Sequence, residues 1–238
     1  MRSAATLDAR GRRTAPRATT EYNAHLKDRL AQGVKDLPIS FDWPSRRGYD
    51  SDSDAARGRV GAGGAAIDSI DDMRVLLAGI PLAGVSTTLA IEPASVPLLL
   101  LHQLVQEEQG LAVRRCTLLL RRPTPPDAYE ARLTDRVIAL AAAERMKVEL
   151  SPSAAFADAP GPSPYPSALP SPVATRQAEC LCKLRAWRCQ ERVDAALTLL
   201  RRAAHGDGDI LPPMKEALSA GATIGETSTI LRELWAAV

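Results

Sequence analysis

The sequence predicts an α/β fold, with parallel strands joined by helices and a helical segment after them, and three observations carry that prediction. Between residues 21 and 150, short aliphatic runs alternate with stretches of helical period. Strands separated by helices in this way argue a parallel sheet with right-handed crossovers. Residues 151–174 then hold Pro152, Pro160, Pro162, Pro164, Pro166, Pro170 and Pro172 among Ser, Ala and Gly, a linker composition in which no packed element is expected. From 175 to 238 the pattern is helical throughout.

The elements follow in order. Residues 1–20 are basic (Arg2, Arg10, Arg12, Arg13, Arg17) and rich in Ser, Thr and Ala, and they read as a flexible leader. Tyr22–Gly33 is an amphipathic helix with Leu26, Leu30 and Val34 on one side, stopped by Gly33. Leu37–Trp43 is a strand ended by Pro44. The loop 44–66 is too long for a connector in a compact domain and reads as functional or lid-like. Asp68–Ala78 is a helix capped by Asp68 or Ser69, with acidic residues in its first turn where the helix dipole favours them.

Val85–Ile91 is the second strand, and Ser95–Gln109 the next helix, with Pro97 in its first turn and Gly110 beyond its end. Val113–Leu120, Asp127–Met146 and Lys147–Leu150 complete a strand, a helix and a fourth strand. Helices are then expected at 175–204, broken near Cys189–Glu191, at 212–219 and at Thr223–Val238, the last with Ile230, Leu231, Leu234 and Trp235 as its apolar stripe.

Composition narrows the function classes. With 45% apolar but only 4% aromatic residues, the core must be built from Leu, Val, Ala and Ile. Thirty basic against 28 acidic residues leave no global field for nucleic acid or a membrane surface. No apolar run approaches the roughly 18–20 residues of a membrane span. Cys116 stands alone, and Cys180, Cys182 and Cys189 lack zinc-ligand spacing, so no metal is expected. Cys182 and Cys189, seven apart on one helix, read as buried packing thiols, and a reducing cytoplasm fits.

Candidate chemistry gathers at the carboxyl ends of the first two strands, the rim where parallel α/β folds place their sites. Asp42, Ser45, Arg46, Arg47, Tyr49, Asp50 and Glu92 fall there. Glu92, Asp42, Tyr49 and Arg47 are the candidate catalytic residues: carboxylates beside arginines can share proton transfer while a guanidinium clamps an anion. Asp42 and Asp50 can equally serve only to cap loop amides and pair with Arg47. The second strand alternates Val85, Thr87, Leu89, Ile91 with Ser86, Thr88, Ala90, Glu92. The Ser/Thr/Ala face admits two readings, a hydroxyl-lined groove for a thin amide-bearing chain or small residues packed under a helix. Arg46, Arg47, Ser86 and Thr88 are accordingly the candidate substrate-binding residues. Gly61-Ala62-Gly63-Gly64 follows a loop instead of a strand, so a dinucleotide or phosphate loop fails its context. His25, His102 and His205 sit at helical positions and read as structural.

Two blocks of motifs resemble the methylmalonyl-CoA mutase family, the adenosylcobalamin-dependent acyl-CoA mutases. The first holds Phe41-Asp42-Trp43-Pro44-Ser45-Arg46-Arg47-Gly48-Tyr49-Asp50-Ser51-Asp52, Ala66-Ile67-Asp68-Ser69, Asp72-Met73-Arg74, Ala78-Gly79-Ile80-Pro81-Leu82 and Glu107-Glu108-Gln109-Gly110. The second holds Leu184-Arg185-Ala186, Ala195-Ala196-Leu197, Ile210-Leu211 and Ala222-Thr223-Ile224-Gly225-Glu226. A weaker similarity covers Pro125–Met146.

The resemblance implies an eight-stranded barrel that threads coenzyme A along its axis, with adenosylcobalamin between the barrel and a separate domain. This chain is expected to hold only half of it, a partial TIM-barrel-like set of βα units, with the proline-rich linker in place of the second half. Other departures follow. Arg46 stands where the resemblance implies a histidine, and Glu92-Pro93 where it implies Asn-Gly; Arg12-Arg13-Thr14-Ala15-Pro16 replaces an Arg-Gln-Tyr-Ala-Gly segment. No Asp-x-His-x-x-Gly cobalt-ligand motif occurs.

The expectation is therefore a truncated, diverged member that binds no cofactor alone and lacks independent mutase activity. It would act as a non-catalytic subunit, either as a homodimer or with a mutase-like partner. A repurposed acid/base enzyme and an acyl-thioester binding module are the alternatives.

Overall fold

A computed structural model of the chain describes residues 6–7, 13–14, 18–111, 116–121, 128–151, 171–206 and 208–235. Thr6–Leu7 (β1) and Arg13–Thr14 (β2) pair antiparallel within the segment read as a leader. Helix α1 (Thr19–Ala31) begins three residues earlier than its apolar spacing indicates.

Four strands, β3 (Asp36–Ser40), β4 (Ser86–Ile91), β5 (Cys116–Arg121) and β6 (Lys147–Ser151), form one sheet in chain order, every pair parallel. Helices α3 (Ile70–Leu77), α4 (Val96–Glu108) and α5 (Ala128–Ala143) supply the crossovers. This is the α/β pattern expected, three βα units and a fourth strand of a partial barrel.

One face of the sheet is apolar and buried: Leu37, Ile39, Leu89, Ile91, Leu118 and Leu120 all lie in the main core. The other face carries Asp36, Ser86, Thr88, Thr117, Lys147 and Glu149, each partly or fully exposed. Alternate residues take opposite faces because the side-chain period of a strand is two.

The first strand ends sooner than its sequence suggests. Ser40 closes β3, and Trp43–Arg46 form a short helix, α2, with Pro44 inside its first turn. Proline suits a first turn because its missing N–H has no helical partner there. The Asp42 side chain caps this helix, accepting the Ser45 N–H at 3.0 Å. Pro38 lies within β3, which is tolerated because β3 is an edge strand.

The stretch from 47 to 66 is packed down and not lid-like: Ala56, Val60 and Ala66 form a small buried cluster of their own. Gly64 lets it approach β3, since a Cβ there would meet the Ser40 and Phe41 backbone at 2.4 Å. Ser69 caps α3, with Asp72 accepting the Ser69 N–H at 3.1 Å to complete a capping box.

The C-terminal helices are α6 (Pro172–Trp187), α7 (Gln190–His205), α8 (Leu211–Ser219) and α9 (Ile224–Trp235). Of the proline-rich linker, 152–170 lies outside the described residues. Its last residues belong to α6 instead, where Pro172 opens the helix and Ser171 caps it by accepting the Ala174 N–H at 3.1 Å. Leu200, Met214, Leu218, Ile224, Leu231 and Trp235 join the main core alongside the sheet residues. The helix breaks between Arg188 and Cys189, so Cys182 and Cys189 do not share a face. Both are exposed, as is Cys180, and only Cys116 is buried.

Asp50 ties the two parts together. Its carboxylate accepts the Thr223 hydroxyl and the Gly225 N–H, each at 2.7 Å, and pairs with Arg185 at 2.9 Å. A Cβ on Gly225 would meet that carboxyl at 2.5 Å. Gly225→Ala is therefore expected to destabilise the fold by about 1–3 kcal/mol, the usual cost of overpacking. Gly84→Ala, whose nearest atom would be the Pro81 carbonyl at 3.6 Å, should be nearly neutral. Urea denaturation of the two variants side by side checks the contrast.

Candidate functional site at the carboxyl rim

Ile91 ends β4 and delivers Glu92 to the rim, where the carboxylate is 4% exposed. Three guanidinium groups face it: Arg47 at 2.9 Å, Arg121 from the end of β5 at 3.6 Å, and Arg46 at 3.7 Å. Arg47 also pairs with Glu130 of α5 at 3.0 Å. Ser95 locks the arrangement, its hydroxyl accepting the Glu92 N–H at 3.0 Å and donating to the Arg46 carbonyl at 2.9 Å. Strand ends and a helix end thus converge on one buried ion-pair cluster.

The other candidates are placed differently. Asp42 lies fully buried behind the rim, where it accepts the Gly61 N–H at 2.7 Å as well as that of Ser45. Burial pushes its carboxyl up to about 6 despite these hydrogen bonds. Tyr49 stacks on Trp43 with ring centroids 5.9 Å apart. Arg59 lies over Trp43 and Arg232 over Tyr49, each at 4.1 Å, giving a four-layer cation–π stack. Arg232 also donates to the Gly48 carbonyl.

Ser86 and Thr88 sit at the amino end of β4 and on its open face, both donating to Asp36, at 3.0 and 3.1 Å. Glu92 lies four residues beyond Thr88, roughly 13 Å along the strand at about 3.3 Å per residue. The fold therefore brings Glu92, Arg46 and Arg47 together. It separates them from Ser86 and Thr88, and it commits Asp42 and Tyr49 to the loop.

Two members of the cluster, Arg121 and Glu130, escaped the sequence reading. The signal for Arg121 was present: it follows the Leu118-Leu119-Leu120 run just as Glu92 follows Leu89-Ala90-Ile91. A second buried polar group, Asp68, was read in the sequence only as a helix cap. Asp68 accepts the Ser51 N–H at 2.8 Å and the Gln177 amide at 3.1 Å, and burial, with the Asp72 and Asp50 charges added, raises its carboxyl well above the usual range.

A cleft of about 520 Å³ opens between α7 and α9, lined by Tyr49, Asp52, Leu197, Arg201, Glu226 and Ile230. Its carboxylates are spoken for: Asp52 pairs with Arg185 at 2.5 Å and Glu226 with Arg188 at 2.6 Å. Among the described residues, no group of three His, Cys, Asp or Glu could hold a metal ion.

Two measurements follow from the buried carboxylates. Because the folded-state pKa of Asp42 is raised from 3.8 to about 6, its ionisation opposes folding. That cost is absent below about pH 4, grows between 4 and 6, and reaches about 3 kcal/mol above 6. In Asp42→Asn, the fall in unfolding free energy between pH 4 and 7 should be smaller by about that amount. Glu92→Gln removes the carboxylate that three guanidinium groups face. It should cost roughly 3–5 kcal/mol in equilibrium unfolding, the usual penalty for breaking a buried pair.

The family model described as methylmalonyl-CoA mutase matches residues 12–118 and 156–237. The chain is 48% identical over 91 residues to the methylmalonyl-CoA mutase large subunit of Propionibacterium freudenreichii subsp. shermanii, covering 38% of this chain and 12% of that protein. It is 40% identical over 97 residues to methylmalonyl-CoA mutase of Escherichia coli (strain K12), covering 41% of this chain and 14% of that one. The mitochondrial enzyme of Mus musculus is 38% identical over 97 residues, again 41% of this chain and 13% of the relative. The matched stretch thus spans well under two thirds of the curated relatives' length. With both matched blocks together taking in more than half of the chain, this protein belongs to the methylmalonyl-CoA mutase family.

Proposed function

We propose that this chain is a non-catalytic or partner-dependent member of the family and does not turn over an acyl-CoA by itself. One observation carries the reading. The two rim positions where the family resemblance implies a histidine and an Asn-Gly pair hold Arg46 and Glu92-Pro93. Arg46 and Glu92 are buried and ion-paired. A general base must come within hydrogen-bond reach of the proton it abstracts, and Glu92 is turned instead toward Arg46, Arg47 and Arg121.

The donor set does not fit adenosylcobalamin as a ligand of this chain alone. His102 is buried with Nε2 against the Thr87 hydroxyl at 3.2 Å, and burial lowers its pKa to about 4. His25 lies edge-on to Tyr22 in α1, and His205 closes α7 with Nδ1 3.1 Å from the Arg201 carbonyl. None of the three stands at the rim. Any corrin contact would then depend on another chain, whether a second copy or a mutase-like subunit. A cytoplasmic setting belongs to the same proposal, supported by free thiols at Cys180, Cys182 and Cys189. No described helix is long and apolar enough to cross a membrane.

A second reading, an acyl-thioester binding module, draws support from β4. Ser86, Thr88 and Ala90 lie partly exposed on the open face instead of packed beneath a helix. The repurposed acid/base enzyme has less behind it, since Asp42 is buried and Tyr49 stacked.

Titration with adenosylcobalamin followed by visible absorbance, together with a methylmalonyl-CoA turnover assay, tests the main reading. No spectral change and no product are expected from the isolated chain; corrin binding with turnover would overturn it. Coenzyme A at millimolar concentration should raise the melting temperature by a few degrees if the binding-module reading holds, as linkage requires. Thr88→Val should remove the shift, and its absence in the unmodified chain would end that reading.

A further inference from the structure

The sheet has two edges, and they are not alike. Along β3 the outward groups at its carboxyl end are already spent. The Ser40 N–H donates to the Tyr22 hydroxyl at 2.9 Å, and the Ser40 carbonyl accepts the Ala65 N–H at 2.9 Å. The Asp42 N–H continues this bridge to the Ala65 carbonyl at 3.0 Å, and Pro38 has no N–H to offer. Proline and a covering segment are ordinary ways to blunt a strand edge. Closing an eight-stranded barrel head to tail would require β3 to accept a new strand here.

The edge of β6 is different. The Ser86 N–H donates to the Lys35 carbonyl at 2.8 Å, so the odd-numbered peptide groups of β3 face β4 and the even-numbered ones face outward. Carried through the registers Leu89 with Leu118 and Leu118 with Val148, the same alternation turns the peptide groups of Val148 and Leu150 away from the sheet. Among the described residues, no strand pairs with them. Leu150 is 62% exposed, and Lys147 and Glu149 stand on the opposite face with side chains 70% and 48% exposed.

We infer that the chain self-associates through this edge, a second copy adding its own β6 antiparallel about a two-fold axis at Val148. In that register Lys147 lies opposite Glu149 of the second copy, and Glu149 opposite its Lys147, giving two cross-strand ion pairs. On the helix-facing side Val148 meets its own copy, and exposed Leu150 lies opposite Met146. A register slipped by one dipeptide would set Glu149 against Glu149, so the charges select the pairing as well as favour it. An isologous contact of this kind closes on itself, leaving no further edge to extend. One strand pair covers less than the roughly 1,000 Å² of a firm interface, so the dimer is reversible and concentration-dependent.

The inference stands whether or not the chain turns over an acyl-CoA, so the association and turnover assays fail independently. Sedimentation velocity over a concentration series should show a monomer–dimer equilibrium. Val148→Pro deletes an outward N–H and leaves the β5 ladder intact; it should raise the dissociation constant about tenfold or more. K147E and E149K should each weaken association, and the double variant should restore it, with melting curves checking that every variant folds. Should Val148→Pro fail to fold, the charge-swap set decides alone. A monomer at every concentration overturns the inference, as does a dimer indifferent to these variants. Preferential pairing with a mutase large subunit through the same residues would overturn the second copy as the occupant.

Discussion

The buried carboxylate of Asp50 gathers three groups of the helical segment onto the loop that follows α2. It comes from the turn after α2, and its partners Arg185, Thr223 and Gly225 lie at least 135 residues away in sequence. The geometry suits an anion at a helix N-terminus: the Gly225 N–H is one of the donors that the first turn of α9 leaves without a helical acceptor. Burial raises the Asp50 carboxyl, while the Thr223, Gly225 and Arg185 contacts pull it back down, and the nearby Asp52 adds to the rise. The Ile224 N–H reaches the Asp68 carbonyl at 2.9 Å, so two successive backbone donors of one helix end are claimed by one loop. Once this end is fixed, Ile224, Leu231 and Trp235 are directed into the core beside α4. The Trp235 indole N–H finds the Ala204 carbonyl at 2.9 Å, which joins α9 to α7.

The rim obeys the same economy of charge. A carboxylate as buried as Glu92 is tolerable only when partnered, and its guanidinium neighbours are supplied by α2 and β5. Arg47 then leans on Glu130, which draws α5 into the cluster. The residues that make this corner chemically suggestive in the sequence are thereby the residues that hold its elements together. Asp42 illustrates the point from the other side, since its two backbone partners, Ser45 and Gly61, set the path of the loop and leave it no route to solvent.

The alternating strand and helix periods made the sheet and its crossovers legible, because each needs only local pattern. The odd–even split along Ser86–Ile91 was legible too, whereas which of its sides faces the helices was not, because small residues suit an open face and a tightly packed one alike. The end of β3 was misread because Pro44 looked like a terminator, whereas Asp42 as a cap makes it the opening of a helix. The cysteines were misread for a related reason. Seven-residue spacing places Cys182 and Cys189 together only if one helix continues, and the Arg188–Glu226 and Arg188–Gly221 contacts hold a bend there that depends on residues more than thirty positions away. Arg121 had a local signal in its place after an aliphatic strand, whereas nothing in the sequence around Glu130 points to the rim. The family resemblance was legible because it rests on dense contiguous motifs, and those same motifs turn out to be the loop and the helix end that Asp50 joins.

The polarity of the open sheet face constrains what a four-stranded fragment of a barrel can do. A closed barrel packs its interior with layers of side chains, mostly bulky and branched. Here Asp36, Thr88, Thr117, Lys147 and Glu149 occupy that face, and Asp36 is held by the Ser86 and Thr88 hydroxyls. Covering them with another half-barrel would strip water from two carboxylates and an ammonium, a cost that Lys147–Glu149 pairing at 2.5 Å offsets only for its own two members. The face is stable in water as it stands. Pairing along an edge, by contrast, leaves that face hydrated while satisfying backbone groups that point outward. Physical chemistry therefore favours partners that extend this sheet over partners that bury it.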